Sequence, residues 1–234
     1  STFEVLLPAL IDNFEKDAQA QEPKFKDLEA PIQVLKNWNY YSNVNSVATT
    51  LANEWAFKLN PILQKVYIDE GEKDQVENMS EFAKTAGIDD MLPQLREVVQ
   101  ELQAKFGKWE IPWGDINRFQ RPSGDIDLTY DDNKESLAMG TASVLWGSLP
   151  AFKSSYQNNS KKRYGYNGNS FICAVEFGPK IKAKSLLAGG NSGDPNSKHF
   201  FDQAKMYQNA QFKDVLFYKE DVQKNAEETY HPGE

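Results

Sequence analysis

Cysteine and histidine are nearly missing from this chain, and that alone closes several chemistries. Cys173 is the single cysteine in 234 residues, so no internal disulfide can form and no cysteine-rich zinc site can be built. His199 and His231 are the only histidines, too few for a transition-metal centre. Basic charge is also short: 26 Lys and Arg face 34 Asp and Glu, a formal net charge of −8. Binding to nucleic acid needs a basic surface against phosphate, so that class is disfavoured. No window approaches the roughly 18 consecutive apolar residues of a membrane span. Neither an initiator methionine nor a signal peptide opens the sequence, which predicts a start set by processing, truncation or a tag. The compartment stays open on these grounds, because extracytoplasmic proteins can also lack disulfides.

What is present is the composition of a globular protein, with 26% charged and 12% aromatic residues. The length suits one large domain or two small ones, and we read 1–234 as a single incomplete α+β domain. Residues 1–110 read mainly helical, 111–169 loop-rich, and 170–234 as strands, a glycine-rich loop and terminal helices. Phe3, Leu6, Leu7, Leu10, Ile11 and Phe14 share one helical face. Residues 13–31 read as a polar loop with a short helical turn. A second helix starts near 43–46, where side chains can cap it, with Val44, Val47, Leu51 and Trp55 on one stripe. Pro61 is expected to kink or end that helix, and 70–74 is a charged connection. Leu92, Leu95, Val99, Leu102 and Phe106 mark the clearest helix, stopped by Gly107.

Beyond that helix, residues 113–133 read as a long surface excursion. Residues 170–177 and 181–188 read as two strands joined by a tight turn. Asp194-Pro195 or Ser197 is expected to cap a helix running to Tyr207. Residues 215–218 form a short strand candidate, and 221–228 a last helix before a loose Pro-Gly tail.

Each candidate constellation has a plain reading beside its functional one. Ser1 could serve as a nucleophile activated by its own α-amino group, or be only a chain boundary. His199 and Asp202, three apart, would share a helical face and could orient Ser192 as in a hydrolase triad. The reading we prefer is a loop network in which Asp and Ser bond backbone amides and His199 anchors the loop. The glycines at 189, 190 and 193 suggest a phosphate cradle only faintly, because Asp194 repels phosphate and no Lys-Ser/Thr pair follows. Acidic clusters at Asp69-Glu70-Glu72 and Asp125-Asp127-Asp131-Asp132 lack EF-hand spacing and read as solvated faces, with calcium as the alternative. Lys161-Lys162-Arg163 reads as a wetted turn. Trp38-Asn39-Tyr40-Tyr41 and the 164–169 segment mix rings with amides as sugar-binding surfaces do. The reading we prefer for both is tyrosines that bury their rings and bond their polar tips.

One long stretch carries more weight: Gly189-Gly190-Asn191-Ser192-Gly193-Asp194-Pro195-Asn196-Ser197-Lys198-His199-Phe200-Phe201-Asp202-Gln203, then Lys205-Met206-Tyr207. It resembles the C-terminal signature of the penicillin acylase family. Further matches keep the family's order: Leu6-Leu7-Pro8; Leu35-Lys36-Asn37-Trp38 with the helix to Trp55; Trp113-Gly114-Asp115-Ile116-Asn117-Arg118; Gly168-Asn169-Ser170-Phe171; and the closing Tyr230-His231-Pro232-Gly233. Gly189, Gly190 and Asn191 stand where relatives often have Gly-Gln-Ser-type residues, a mild departure. In look the chain is nearest the acyl-homoserine-lactone and aculeacin-type acylases.

The resemblance implies an N-terminal-nucleophile hydrolase, self-cleaved from a precursor and folded as an αββα sandwich. This segment would be its C-terminal portion. The nucleophilic serine and oxyanion-hole asparagine belong to earlier motifs not found here, and Ser1 is not followed by the expected Asn. No catalytic role therefore falls on any residue. Trp113, Gly114, Asn117, Arg118, Gly190, Ser192, Gly193, Asp194, His199, Asp202 and Gln203 are expected to be a structural signature. The implied partners are the α chain, the N-terminal part of the β chain and a small-molecule acyl amide. No cofactor is implied for this segment, with room for calcium in the full-length enzyme, and the implied location is periplasmic or secreted. The alternatives are a stand-alone glycan-binding module and a small hydrolase using Ser192, His199 and Asp202.

Overall fold

The computed structural model describes residues 2–70, 75–123, 129–148, 150–157, 159–231 and 233, with backbone alone for 64–70 and 75. The chain divides into two compact units. One joins Ser1–Pro122 to Thr129–Gly168; the other joins Ser123–Leu128 to Asn169–Glu234.

The first unit opens with helix α1, Phe3–Ala18, which buries Phe3, Leu6, Leu7, Leu10 and Phe14 as the spacing predicts. It runs further than its polar end suggests. Asn13 and Asp17 are buried, and both hold neighbouring backbone. The Asn13 amide donates to the Ala9 and Ala86 carbonyls at 2.9 and 3.0 Å. The Asp17 carboxylate accepts from the amides of Lys24 and Phe25 at 3.0 and 2.8 Å. The expected loop over 13–31 is thus the last turn of α1, a short link, and the start of α2, Glu29–Lys36.

Helix α3, Val47–Glu70, is capped by Ser46, whose Oγ accepts from the Thr49 amide at 3.0 Å. It passes through Pro61 rather than ending there. A proline in a helix costs about 3 kcal/mol. Leu51, Trp55, Leu59 and Leu63 are all fully buried, and each such side chain contributes about 1.5–3 kcal/mol. The apolar stripe outweighs the lost backbone bond.

Helix α4, Gln75–Thr85, follows. The 71–74 part of the expected charged connection lies outside the described residues. Helix α5, Ile88–Phe106, buries Leu92, Leu95, Val98 and Leu102 and stops at Gly107 in the left-handed region, φ +80°. One apolar core links α1, α2, α3, α4 and α5, with Trp55 donating its indole N–H to the Met91 carbonyl at 3.1 Å.

The first unit also holds strands that the sequence reading lacked. After the short helix α6, Trp113–Ile116, come β1 (Asn117–Phe119), β2 (Leu137–Ala138), β3 (Phe152–Tyr156) and β4 (Arg163–Gly168). They form one sheet in the order β2-β1-β4-β3, with β1 and β4 parallel and the other pairs antiparallel. Trp113, Ile116 and Asn117 are buried, so the expected excursion over 113–133 begins in the interior. β1 and β2 are only three and two residues long, below what a period-2 pattern can reveal. Gly165 in β4 lies under the Phe152 ring, where a Cβ would meet ring carbons at 2.1 Å.

The second unit matches its sequence reading in the hairpin β5 (Phe171–Glu176) and β6 (Lys182–Leu187), an antiparallel pair in unbroken register. Its third strand, β7, is Lys213–Asp214, ahead of the expected 215–218. Helix α7 covers only Ala204–Gln208, and α8 is Lys219–Lys224 rather than 221–228. Asp194 and Ser197 do not start a helix. Their side chains accept from the amides of Asn196 (2.9 Å) and His199 (3.2 Å), bonds that close local turns. Pro232 of the expected tail lies outside the described residues.

Candidate functional site

Two knots of polar residues, one in each unit, hold every candidate signature residue. In the first unit the chain reaches α6 from the end of α5 and is pinned against the segment before α3. The amides of Trp113 and Gly114 donate to the Ser46 and Val44 carbonyls at 3.2 and 2.8 Å. A Cβ on Gly114 would lie 2.8 Å from the Val44 Cβ, so this crossing admits no side chain.

Asn117 is fully buried at the start of β1. Its Nδ2 donates to the Met139 and Thr141 carbonyls, both at 2.8 Å, and its Oδ1 accepts from Ser154 Oγ at 2.7 Å. Both amide protons are committed, so Asn117 has no donor left for a substrate oxyanion. Arg118 turns back on the same turn, donating to the Gly114 carbonyl at 2.7 Å, to Ser136 Oγ at 2.9 Å and to the Ser136 carbonyl. Burial pulls its pKa below the usual guanidinium value, with Asp115 acting in the opposite sense. Sequence order brings Trp113 to Arg118 together; only the fold adds residues 136–141 and 154.

In the second unit the loop between β6 and α7 folds onto itself. The Gln203 amide donates to the Gly189 carbonyl at 2.8 Å, and the Ser192 amide to the His199 carbonyl at 3.0 Å. Gly190 lies beneath this closure, where a Cβ would stand 2.1 Å from the His199 carbonyl oxygen and 2.8 Å from Asp202 Oδ1. Gly193, by contrast, has open space around it.

His199 Nδ1 and Asp202 Oδ2 are 2.8 Å apart and partly exposed. The hydrogen bond from His199 holds the Asp202 carboxyl below its usual range. The pair sits in a turn, not on the expected helix face. Ser192 Oγ accepts from the Asp194 amide at 3.1 Å. Ser192, Asp194, His199, Asp202 and Gln203 are thus knitted into one loop, chiefly through backbone amides.

Sequence reasoning missed one buried ion pair in the first unit. Arg163 on β4 reaches Glu54 on α3 at 3.2 Å and donates to the Ser154 carbonyl at 2.9 Å. Its guanidinium lies 4.0 Å from the Phe57 ring centre and 4.9 Å from that of Tyr156. Burial, with the Glu54 carboxylate nearby, pushes the Tyr156 hydroxyl far above its usual value. Arg163 is therefore no part of a wetted turn. The signal that could have found it is an alternation, Arg163 and Gly165 against Tyr164 and Tyr166, hidden by the lysines before it.

Other candidates resolve individually. Ser1, Glu72, Asp125 and Asp127 lie outside the described residues. Asp132 accepts from the Tyr164 hydroxyl at 2.9 Å and the Lys161 amide at 2.7 Å, and Asp131 from Asn133. Asp131 thus closes a local turn, while Asp132 ties its segment to residues 161–164. Among the described residues no group of three or more His, Cys, Asp or Glu could hold a metal ion. Tyr164 buries its ring and bonds its tip, as the plain reading expects, whereas Tyr166 and Tyr41 are 51% and 75% exposed. No described helix is long and apolar enough to cross a membrane.

A family model described as penicillin amidase matches residues 1–224. That span takes in both polar knots and every element from α1 to α8. On a match over nearly its whole length, the chain belongs to the penicillin amidase family.

Proposed function

We propose that this chain is the C-terminal part of the catalytic β chain of an amidohydrolase that cleaves the acyl amide of a small molecule. The observation that carries the reading is the family match over residues 1–224. Its sequence elements resemble the family's late segments, in order. The substrate would be a β-lactam side-chain amide, an acyl-homoserine lactone or a lipopeptide. The complete enzyme would act periplasmically or after secretion.

In that enzyme an N-terminal serine from an earlier segment attacks the amide carbonyl. Backbone and asparagine donors hold the oxyanion, and water then releases the acid. The committed hydrogen bonds of Asn117 and Arg118 fit a supporting role: they brace a wall against which the catalytic segment is held. The α chain and the N-terminal part of the β chain would be the partners of this one.

The test compares the full native polypeptide with the 234-residue chain alone. Intact mass and N-terminal sequencing of the native protein are expected to find a processed chain starting Ser-Asn well upstream. The full protein is expected to hydrolyse a panel of chromogenic acyl amides, and the isolated chain none. A second reading draws on the 2.8 Å His199–Asp202 contact. If the isolated chain hydrolysed esters or amides, and Ser192→Ala abolished this with the fold intact, the Ser192-based hydrolase would replace the acylase reading.

A further inference from the structure

The sheet of the second unit runs β5-β6-β7, so β5 stands at one edge. Its ladder settles which backbone groups face outward. The Ala188 amide donates to the Ser170 carbonyl, and the Val215 amide to the Ala183 carbonyl. In an antiparallel pair, bonded residue pairs alternate with unbonded ones. Ser170, Ile172, Ala174 and Glu176 therefore turn their backbone groups towards β6, and the odd residues of β6 turn theirs towards β7. The N–H and C=O groups of Phe171, Cys173 and Val175 point away from β6, with no partner among the described residues.

The side chains of this edge are as unguarded as its backbone. Edge strands usually carry a lysine, a proline, a bulge or an inward charge that blocks further pairing. β5 reads Phe-Ile-Cys-Ala-Val-Glu, pairs with β6 in unbroken register, and has its single charge at the end. That charge, Glu176, is met by Lys182 at 3.7 Å. Phe171 and Val175 are 60% and 44% exposed.

Strand alternation puts Phe171, Cys173 and Val175 on one face, with Ala183 and Val215 in line beside Val175. Phe177 and Phe217, both exposed, follow Val175 and Val215 along the chain. The opposite face carries the ion pairs Glu176–Lys182 and Lys184–Asp214. Among the described residues of this unit, only Leu186, Ala204 and Tyr207 are buried apolar side chains. A unit with so small a core gains from covering its apolar face.

We propose that β5 pairs antiparallel with the β5 strand of a second copy of this chain, about a twofold axis through Cys173. The strand is self-complementary in that register. Phe171 of one copy faces Val175 of the other, Ile172 faces Ala174, Cys173 faces its own counterpart, and Glu176 faces Ser170. No charge meets its like, and each facing pair within 171–175 is apolar. Moving the axis to Ala174 would instead set Glu176 against Ile172.

Each outward pair exchanges two backbone bonds, so Phe171, Cys173 and Val175 have all their free groups satisfied at once. The two sheets become one of six strands, through the isologous contact of a twofold dimer. The apolar faces of the two copies then run on without a break. The inference stands apart from the amidohydrolase reading.

The experiment uses the full protein carrying this chain. Sedimentation equilibrium between about 1 and 300 µM brackets the micromolar Kd that a small contact gives, and is expected to show a monomer–dimer equilibrium. A short bis-maleimide should bridge Cys173 to Cys173 of the second copy, seen by peptide mass, because this chain has no other cysteine. Hydrogen exchange at the amides of 171, 173 and 175 should slow as concentration rises. Val175→Lys, which symmetry places twice in the contact, should weaken dimerisation at least about tenfold. A protein that stays monomeric to about 300 µM overturns the inference. So does a dimer that Val175→Lys leaves intact and that gives no 173–173 bridge, since another surface then holds it. Amides 171, 173 and 175 already protected in the monomer would show the edge covered by another strand of the same protein, which overturns it too. Amide hydrolysis, assayed in the same preparations, is expected to be equal in wild type and Val175→Lys, so the two readings fail separately.

Discussion

Glu54 and Arg163 lie 109 positions apart in the chain and 3.2 Å apart in the fold, with side chains only 11% and 7% exposed. The pair joins α3 to β4, the helical part of the first unit to its sheet. Phe57 and Tyr156 flank the guanidinium, so its charge is met by one carboxylate, one carbonyl and two ring faces. Arg163 Nε has no partner, which makes Glu54 the more important of its contacts.

Removing either member leaves the other charge buried and alone. Arg163→Ala or Glu54→Ala is expected to destabilise the protein by about 3–5 kcal/mol. The double variant Glu54→Ala with Arg163→Ala should cost less than the sum of the two single changes. Urea denaturation of the four members of the cycle measures this. Strict additivity would mean that the two residues do not act as a pair.

Asn117 is the hub of the first polar knot, so Asn117→Ala strands the Met139 and Thr141 carbonyls and the Ser154 hydroxyl at once. A loss of about 2–4 kcal/mol is expected, from two or more unpaired buried groups. Hydrogen exchange should show faster opening of β1 and β2 than of α5. A loss under about 0.5 kcal/mol would contradict the committed role assigned to this amide.

The two loop glycines make a matched pair. Gly190→Ala places a methyl at 2.1 Å from the His199 carbonyl oxygen, while Gly193→Ala meets nothing. The first is expected to push the 199–202 turn away and break the His199–Asp202 contact, seen as a changed imidazole environment in NMR spectra. The second should leave those resonances in place. Equal effects from both would show that the loop is not packed as described.

Acid should loosen that same loop. The His199 contact lowers the Asp202 carboxyl in the folded state below its unfolded value of about 3.9. Its contribution is therefore fully present above about pH 4 and is lost as pH falls through the folded value. The stability gap between wild type and Asp202→Asn is expected to be constant near neutrality and to close below about pH 4. The pair is exposed, so the gap is small. A gap that widened on acidification would reverse the assignment.

Where pattern is local, the sequence reading and the structure agree. Leu92, Leu95 and Leu102 mark α5 by period, and Gly107 ends it because glycine enters the left-handed region freely. Residues 170–188 form the expected hairpin because both strands and their turn are contiguous. Local pattern misleads where a polar residue is buried or a side chain bonds its own turn. Asn13 and Asp17 disguised the end of α1, and Asp194 and Ser197, which look like caps, close turns instead. The signature residues were legible as a set, but not the hydrogen bonds that Asn117 makes with residues 139, 141 and 154.

The sequence by itself determined the amphipathic helices, the β5–β6 hairpin and, through ordered motifs, the family. All of these are written in neighbouring residues, at spacings that a helix or a hairpin turns into one face. Tertiary structure alone decided that Arg163 is buried against Glu54, that β1 runs parallel to β4, and that Asn117 is bonded to residues 139, 141 and 154. Each of those joins residues far apart in the chain, and what selects them is burial, which no local spacing encodes.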